Sequence, residues 1–344
     1  MTTDATDRLL LDQIDWDAPE IPDGLSDAEY DDVLHRLSVA SVERHFDAFA
    51  DIDWDHPDFE IHHDDPRWRL PEVDPLGGSA WYRAQPLDKQ IAMGLWRQAN
   101  IFKVGWQFES ILIRGILQYN FGLPNHSTEY RYLMHEATEE CHHLQMSQET
   151  VNRIGIDVSG MPRWIRAISP FLPLVARRAP GMLFGGVLAG EEPVDPMQTA
   201  VLRRRREVHP VMGRVMEIHV AEEARHISFA HEFVKRHAPR LSRVERFLVS
   251  LLYPIIMRIL GDAILLPPKE FERRFDIPEG LIKELYWESE ASERFLGDTF
   301  ADVRMLAEES GLMNPISRRL WKRLRMLGRR PSRFRSEPPT AFAA

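Results

Sequence analysis

The chain has 344 residues, of which 53 are acidic and 43 are Lys or Arg, giving a formal net charge of -10 and a hydrophobic fraction of 44%. A sizeable core is therefore available, whereas nucleic acid is excluded as the main partner, because phosphate binding needs a dense cationic surface. The single cysteine, Cys141, excludes an internal disulfide framework and fits a reducing, cytoplasmic setting. The N-terminus has no cationic run followed by an apolar one, so no signal peptide is expected.

Residues 1–80 read as an acidic, loop-rich wrap, 81–316 as a helical domain and 317–344 as a basic tail. Within the wrap, Ser26 and Glu29 have the spacing of a capping box, predicting a helix from about Ser26 to Phe49. From Leu87 to Phe121, apolar residues recur at Ile91, Leu95, Phe102, Trp106, Ile113 and Leu117, the period of a helix, which Gly122 and Pro124 stop. A second helix is expected over Ser127 to Ile154 with Gly155 as its C-cap. A third runs around Met182 to Arg206. Pro210 opens a fourth, closed by Pro239. A fifth, apolar helix spans about Arg243 to Leu266; Pro254, Arg258 and Asp262 argue against a lipid-exposed span, so burial in the core is expected. No strand alternation appears, and the fold class is all-α. The tail from Ser317 to Arg335 carries nine Lys or Arg and no acid, with Ile316, Leu320, Leu324 and Leu327 at helical spacing. Such a segment is either a helix closing the domain or one that meets an anionic membrane or a partner.

The chemistry lies in two E-x-x-H motifs, Glu140 with His143 and Glu223 with His226. Residues three apart share a helix face, so each pair aims a carboxylate and an imidazole at one point. One such motif is weak evidence; two on separate helices are not. Each is preceded by a glutamate about thirty residues upstream, Glu109 for the first and Glu191 or Glu192 for the second. In a helical hairpin that spacing allows two arms of about 14 residues, roughly 20 Å each, so the glutamate returns to the level of its E-x-x-H. Two hairpins face to face would place four carboxylates and two or more histidines in one bundle core, the arrangement of di-metal carboxylate bundles.

Glu109 sits in an apolar stretch, where a bare carboxylate is costly without a compensating cation. A metal is one such cation; a salt bridge to Arg114 or Lys103 is the rival. Leu183, Val187, Glu191 and Val194 lie along one face and favour Glu191 as the inward residue, while equal hairpin spacing favours Glu192. His219 shares a stripe with Glu223 and His226 and offers a further ligand. Glu139 and Glu222 precede the ligand glutamates and are placed to accept hydrogen bonds from the ligand imidazoles. Oxygen and imidazole donors without thiolate suit iron or manganese, with two iron ions the leading assignment and a mixed manganese–iron pair the other. Cys141 reads as a small packing residue.

At these residues the sequence resembles the di-iron N-oxygenase family of p-aminobenzoate N-oxygenase, over about residues 85–235. A glutamate in an apolar helix (Glu109), E-x-x-H (Glu140, His143), a lone Glu191 and H-x-x-x-E-x-x-H (His219, Glu223, His226) follow in the family's order, and the extra histidine sets this family apart from other ferritin-like di-iron proteins. Asp195, four residues after Glu191, matches a short polar residue of the family pattern. Pro193 and Pro196 depart from it and should kink the third helix. The resemblance implies a ferritin-like helical bundle with a di-iron centre in its core and flanking helices. It also implies O₂ as oxidant, a small-molecule substrate such as an aryl amine, an external electron donor (a reductase or ferredoxin), and a homodimer. A hydroxylase or desaturase acting on an apolar substrate, or a metal-binding protein without oxygenase activity, are the alternative readings of the same centre.

Overall fold

A computed structural model describes residues 25–331, apart from the side chains of Asp195, Pro196 and Ala200. Among the described residues there is no strand, and the fold is an all-α, ferritin-like bundle. The principal helices are α1 (Asp27–Glu43), α2 (Leu87–Asn120), α3 (Thr128–Ile154), α4 (Pro180–Glu191), α5 (Asp195–Arg203), α6 (Pro210–His237), α7 (Arg243–Leu265), α8 (Glu290–Thr299), α9 (Ala301–Glu309) and α10 (Pro315–Arg323).

Local signals decide most of the ends. The Ser26–Glu29 capping box opens α1 as expected. Ser127 caps α3, and Gly155 ends it at φ 70°, a left-handed conformation that costs glycine nothing. Two expectations need correction. Helix α1 stops at Glu43 instead of running to Phe49, because the Asp47 carboxylate accepts from the amides of Phe49 and Ala50 at 2.8 and 2.9 Å and turns the chain locally. The third helix is two helices, α4 and α5, broken after Glu191: Pro193 lacks the amide that would continue the ladder, and its ring would collide with the turn before it.

Helices α2 and α3 form one hairpin; α4 and α6 form the second side of the bundle, with α1 laid across α3 and α7 against α4. One core cluster joins Leu112, Ile116, Tyr132, Phe184, Val187, Phe229 and Phe233 between these helices. Phe184 anchors it, its ring 4.4 Å from that of Phe233 and edge-on to Phe229 at 5.1 Å. The loop before α2 packs its own aromatic residues inward: Trp54, Trp68 and Tyr82 are buried in a second cluster, and Trp68 stacks on His209 at 4.7 Å. Gly94 on α2 lies directly under the Trp68 carbonyl, where a Cβ would sit 1.7 Å from the oxygen.

The fifth apolar helix is not fully buried. Tyr253, Pro254, Met257, Arg258 and Gly261 of α7 face the protein, but Val244, Leu248, Leu252 and Ile259 stand exposed along another face. Arg243–Arg274 is long and apolar enough to cross a membrane by length and composition, and only 39% of its most apolar window is buried. Helix α7 is apolar nearly all round, while α4 and α10 cover only part of its circumference.

The described part of the basic tail, through Pro331, closes the domain. Trp321 and Met326 are fully buried, Trp321 lies 6.2 Å from Tyr253 ring to ring, and Arg304 Nη1 donates to the Met326 carbonyl at 2.6 Å. The arginines of α10 point away from that contact, as a short amphipathic helix on a core requires.

Candidate metal centre

Helix α3 presents Glu136, Glu140 and His143 inward, and α6 presents His219, Glu223 and His226. Spacings of three and four place each set on one stripe. All except His219 are buried, and His219 is partly so. Helix α2 adds Glu109 and the last turn of α4 adds Glu191, both buried.

Two overlapping tetrads result. Glu109, His143, His219 and Glu223 each offer a donor atom within 4.8 Å of the others, and so do Glu140, His143, Glu223 and His226. His143 Nδ1 lies 3.4 Å from Glu140 Oε2 and 3.3 Å from Glu223 Oε1. His226 Nδ1 lies 3.0 Å from Glu140 Oε1 and 3.4 Å from Glu223 Oε2. His219 Nε2 lies 3.3 Å from Glu109 Oε1 and 3.4 Å from Glu223 Oε1.

Behind the imidazoles the support runs crosswise. His143 of α3 donates its Nε2–H to Glu222 of α6 at 2.9 Å, and His226 of α6 donates its Nε2–H to Glu139 of α3 at 2.8 Å. An ionised carboxylate only accepts, so these bonds put the proton on Nε2 and leave a neutral ring's Nδ1 lone pair facing the centre. Arg225 ties the two supports together, 2.8 Å from Glu139 and 3.7 Å from Glu222. Glu222 also accepts from the Phe46 amide at 3.2 Å, which fastens the loop after α1 to the back of the centre.

The donor set fits a pair of cations. Glu109 Oε2, both oxygens of Glu140 and Glu191, Glu223 Oε2 and the Nδ1 atoms of His143 and His226 are buried without a hydrogen-bond partner. Lone pairs of nitrogen and oxygen facing one another at 3.0–3.4 Å repel unless a proton or a metal lies between them. The electrostatics show the same strain. Burial, reinforced by Glu223 and Glu140, holds the Glu191 carboxyl well above its ordinary range. Burial likewise raises Glu109, against the hydrogen bond from His219. Glu223 is driven the other way: despite its burial, the neighbouring His219 and His226 hold it well below the carboxylate range. His143 and His226, also against their burial, are held high by the surrounding carboxylates.

The two adjacent glutamates lie in different surroundings. Glu191 borders the same small cavity as Glu109, His219 and Glu223, whereas Glu192 turns to His231. Gly190 sets this rotation, since a Cβ there would fall 2.2 Å from the Phe108 ring. The salt-bridge rival for Glu109 is overturned: its contact is His219, while Arg114 Nε donates to the Ser110 carbonyl and Lys103 sits over the Trp106 ring. Asp195 has its side chain outside the described ones. Cys141 is exposed, not a packing residue, because it lies on the outer face of α3.

Two residues of this site escaped the sequence reading. Glu136 lies one turn before Glu140 and is buried; burial, opposed by His226 and assisted by Glu140, pushes it up to about 8. Its four-residue spacing from Glu140 was the available signal. Arg225 was masked by the charged run around it.

The family model described as p-aminobenzoate N-oxygenase AurF matches residues 27–311. The chain is 55% identical to Uncharacterized protein Mb0909 of Mycobacterium bovis over 316 residues, covering 92% of this chain and 93% of that protein. The same identity and coverage hold for Uncharacterized protein Rv0885 of Mycobacterium tuberculosis. No solved structure matches. The motif order, the paired E-x-x-H geometry and the match across most of the sequence agree, and the chain belongs to the p-aminobenzoate N-oxygenase AurF family.

Proposed function

We propose that this protein is an O₂-dependent monooxygenase with two irons held by Glu109, Glu140, His143, Glu191, His219, Glu223 and His226, and that it N-oxygenates an aryl amine or carries out a related monooxygenation of a small organic molecule. The observation that carries this reading is the pair of overlapping tetrads in which the Nδ1 lone pairs of His143 and His226 face inward. When bound, two reducible irons supply the electron-transfer chemistry that O₂ reduction requires. Overall, one oxygen atom of O₂ enters the substrate and the other leaves as water, with two electrons drawn from an external reductase or ferredoxin and two protons from solvent.

The chain's own part is to fix and shield. Glu139 and Glu222 keep the imidazoles in one tautomer, and Arg225 balances their charge. Phe102, Val215, Met216 and Ile264 line the small cavity beside Glu109 and Glu191, restricting water. The same reading takes with it a cytoplasmic setting and a homodimer, and it leaves a manganese–iron pair as the other metal assignment.

Metal analysis of the purified protein, followed by stopped-flow absorbance after mixing the reduced form with O₂, tests it. The expected result is about two irons per chain with a transient visible band, followed by N-oxygenated product in a screen of aryl amines. Two metals without an O₂-dependent transient would replace the oxygenase reading with a storage or binding role. No bound metal would overturn the centre itself.

A further inference from the structure

We infer that the substrate is an uncharged, largely hydrocarbon molecule, and that it is seated in the apolar cavity between α2, α4 and α7, one helical turn from the metal centre. This inference takes its chemistry from the oxygenase reading above, but its binding step does not depend on it.

The cavity measures about 350 Å³, and every described residue lining it is apolar or aromatic, Leu112, Leu183, Val187 and Ile256 among them. Its walls stand on the helices that carry the proposed ligands: Leu112 is three residues after Glu109, and Val187 is four before Glu191, each about 5 Å along its helix. Phe108 borders this cavity and also the second one, of about 70 Å³, that contains Glu109, Glu191, His219 and Glu223. Its ring packs close against the backbone at Gly190, where a Cβ would fall 2.2 Å from it, and Phe108 is the described residue that the two linings share.

At the other end, the mouth is formed by Trp164, Ile168 and Val175, all exposed. Exposed apolar residues gathered at the rim of an apolar cavity mark a ligand site far better than scattered ones. A carboxylate brought into this wall would lose its hydration and meet no donor. Nearby cations do not serve the cavity: Arg114 and Arg166 line a separate space of about 220 Å³ on the far side of Ile111. The pocket therefore selects against a charged aromatic acid and for an alkylated or unsubstituted apolar amine or hydrocarbon.

Gly186 allows a direct test. It lines the cavity, and a Cβ there would meet only Ile256 Cγ2, at an ordinary 3.9 Å. Gly186→Leu fills the space and replaces a poor helix former with a good one. Binding of the uncharged probe N-phenyl-1-naphthylamine is followed by its fluorescence on the full-length protein, with and without iron. Wild type is expected to bind it, with 4-butylaniline displacing it and p-aminobenzoate at least tenfold less effective. Gly186→Leu is expected to weaken probe binding at least tenfold without lowering the melting temperature. Ile168→Glu, an exposed rim change that spares the core, is expected to weaken it at least threefold. Unchanged binding in both variants, or displacement by p-aminobenzoate as effective as by butylaniline, would overturn the inference. In the Co(II)-loaded protein, 4-butylaniline is expected to shift the visible bands, and Gly186→Leu to abolish that shift. Probe binding sensitive to Gly186→Leu in a protein that holds no metal would instead leave the pocket standing and remove the oxygenase reading.

Discussion

Glu139 accepts two hydrogen bonds from buried donors, His226 Nε2 and Arg225 Nη2, each at 2.8 Å. Glu139→Gln keeps its volume but offers only one carbonyl oxygen to those two donors. If that oxygen turns to His226, the amide NH₂ meets the Arg225 guanidinium. If it turns to Arg225, the Nε2–H of His226 faces another donor, and the ring gains by moving its proton to Nδ1, the atom that must stay free for a metal. One buried donor loses its acceptor either way, at a cost of about 1–3 kcal/mol. Loss of such a support typically weakens metal binding by about 10–100-fold, which is about 1.4–2.7 kcal/mol, so the two estimates agree. Titration of Fe(II) or Co(II) against a chromophoric chelator should show that loss, with Glu222→Gln giving a similar one through His143. Glu149→Gln, whose partner Arg153 lies on the outer side of α3, is the control and should bind metal as wild type does. A Glu139→Gln dissociation constant within twofold of wild type would refute the reasoning that these carboxylates set the imidazole tautomer.

Loading the two sites should stabilise the fold measurably. At a free metal concentration a hundredfold above the dissociation constant, each ion contributes about 2.7 kcal/mol, and for a structured region of this size that is about 4 °C, or about 8 °C for two. Differential scanning fluorimetry with and without Fe(II) under anaerobic conditions reads it, and no shift would count against the centre. His219→Ala should keep the fold, because the ring is partly exposed, yet reduce iron retention after desalting by tenfold or more; full iron content with unchanged turnover would sink that role. Trp321→Ala should cost about 3–5 kcal/mol in urea denaturation, since the ring is wholly buried against Tyr253. A near-neutral result would return the tail to a surface role.

Much of the site was legible before any fold existed. The pairs Glu140–His143 and Glu223–His226 and the stripe through His219 follow from helical periodicity alone, because residues three, four and seven apart must share a face wherever the helix goes. The upstream glutamates were legible only as a distance along a hairpin, and there the reading divided. Helix rotation between Glu191 and Glu192 is set by what packs against the neighbouring turns, chiefly Phe108 on Gly190 and Tyr253 on Gly185. Those contacts come from residues far away in sequence.

By itself, then, the sequence determined the helical class, the hairpin spacings and the donor chemistry of the centre, all of which depend on residue type and on periods of a few residues. Only the tertiary structure decided that Glu139 supports His226 and Glu222 supports His143 across the two helices, that Glu136 is buried beside them, that α7 leaves an apolar face uncovered, and that the basic tail is seated by Trp321. Each of these turns on which surfaces meet, and surfaces of separate helices are brought together by burial of the whole core, a long-range effect that no local pattern encodes.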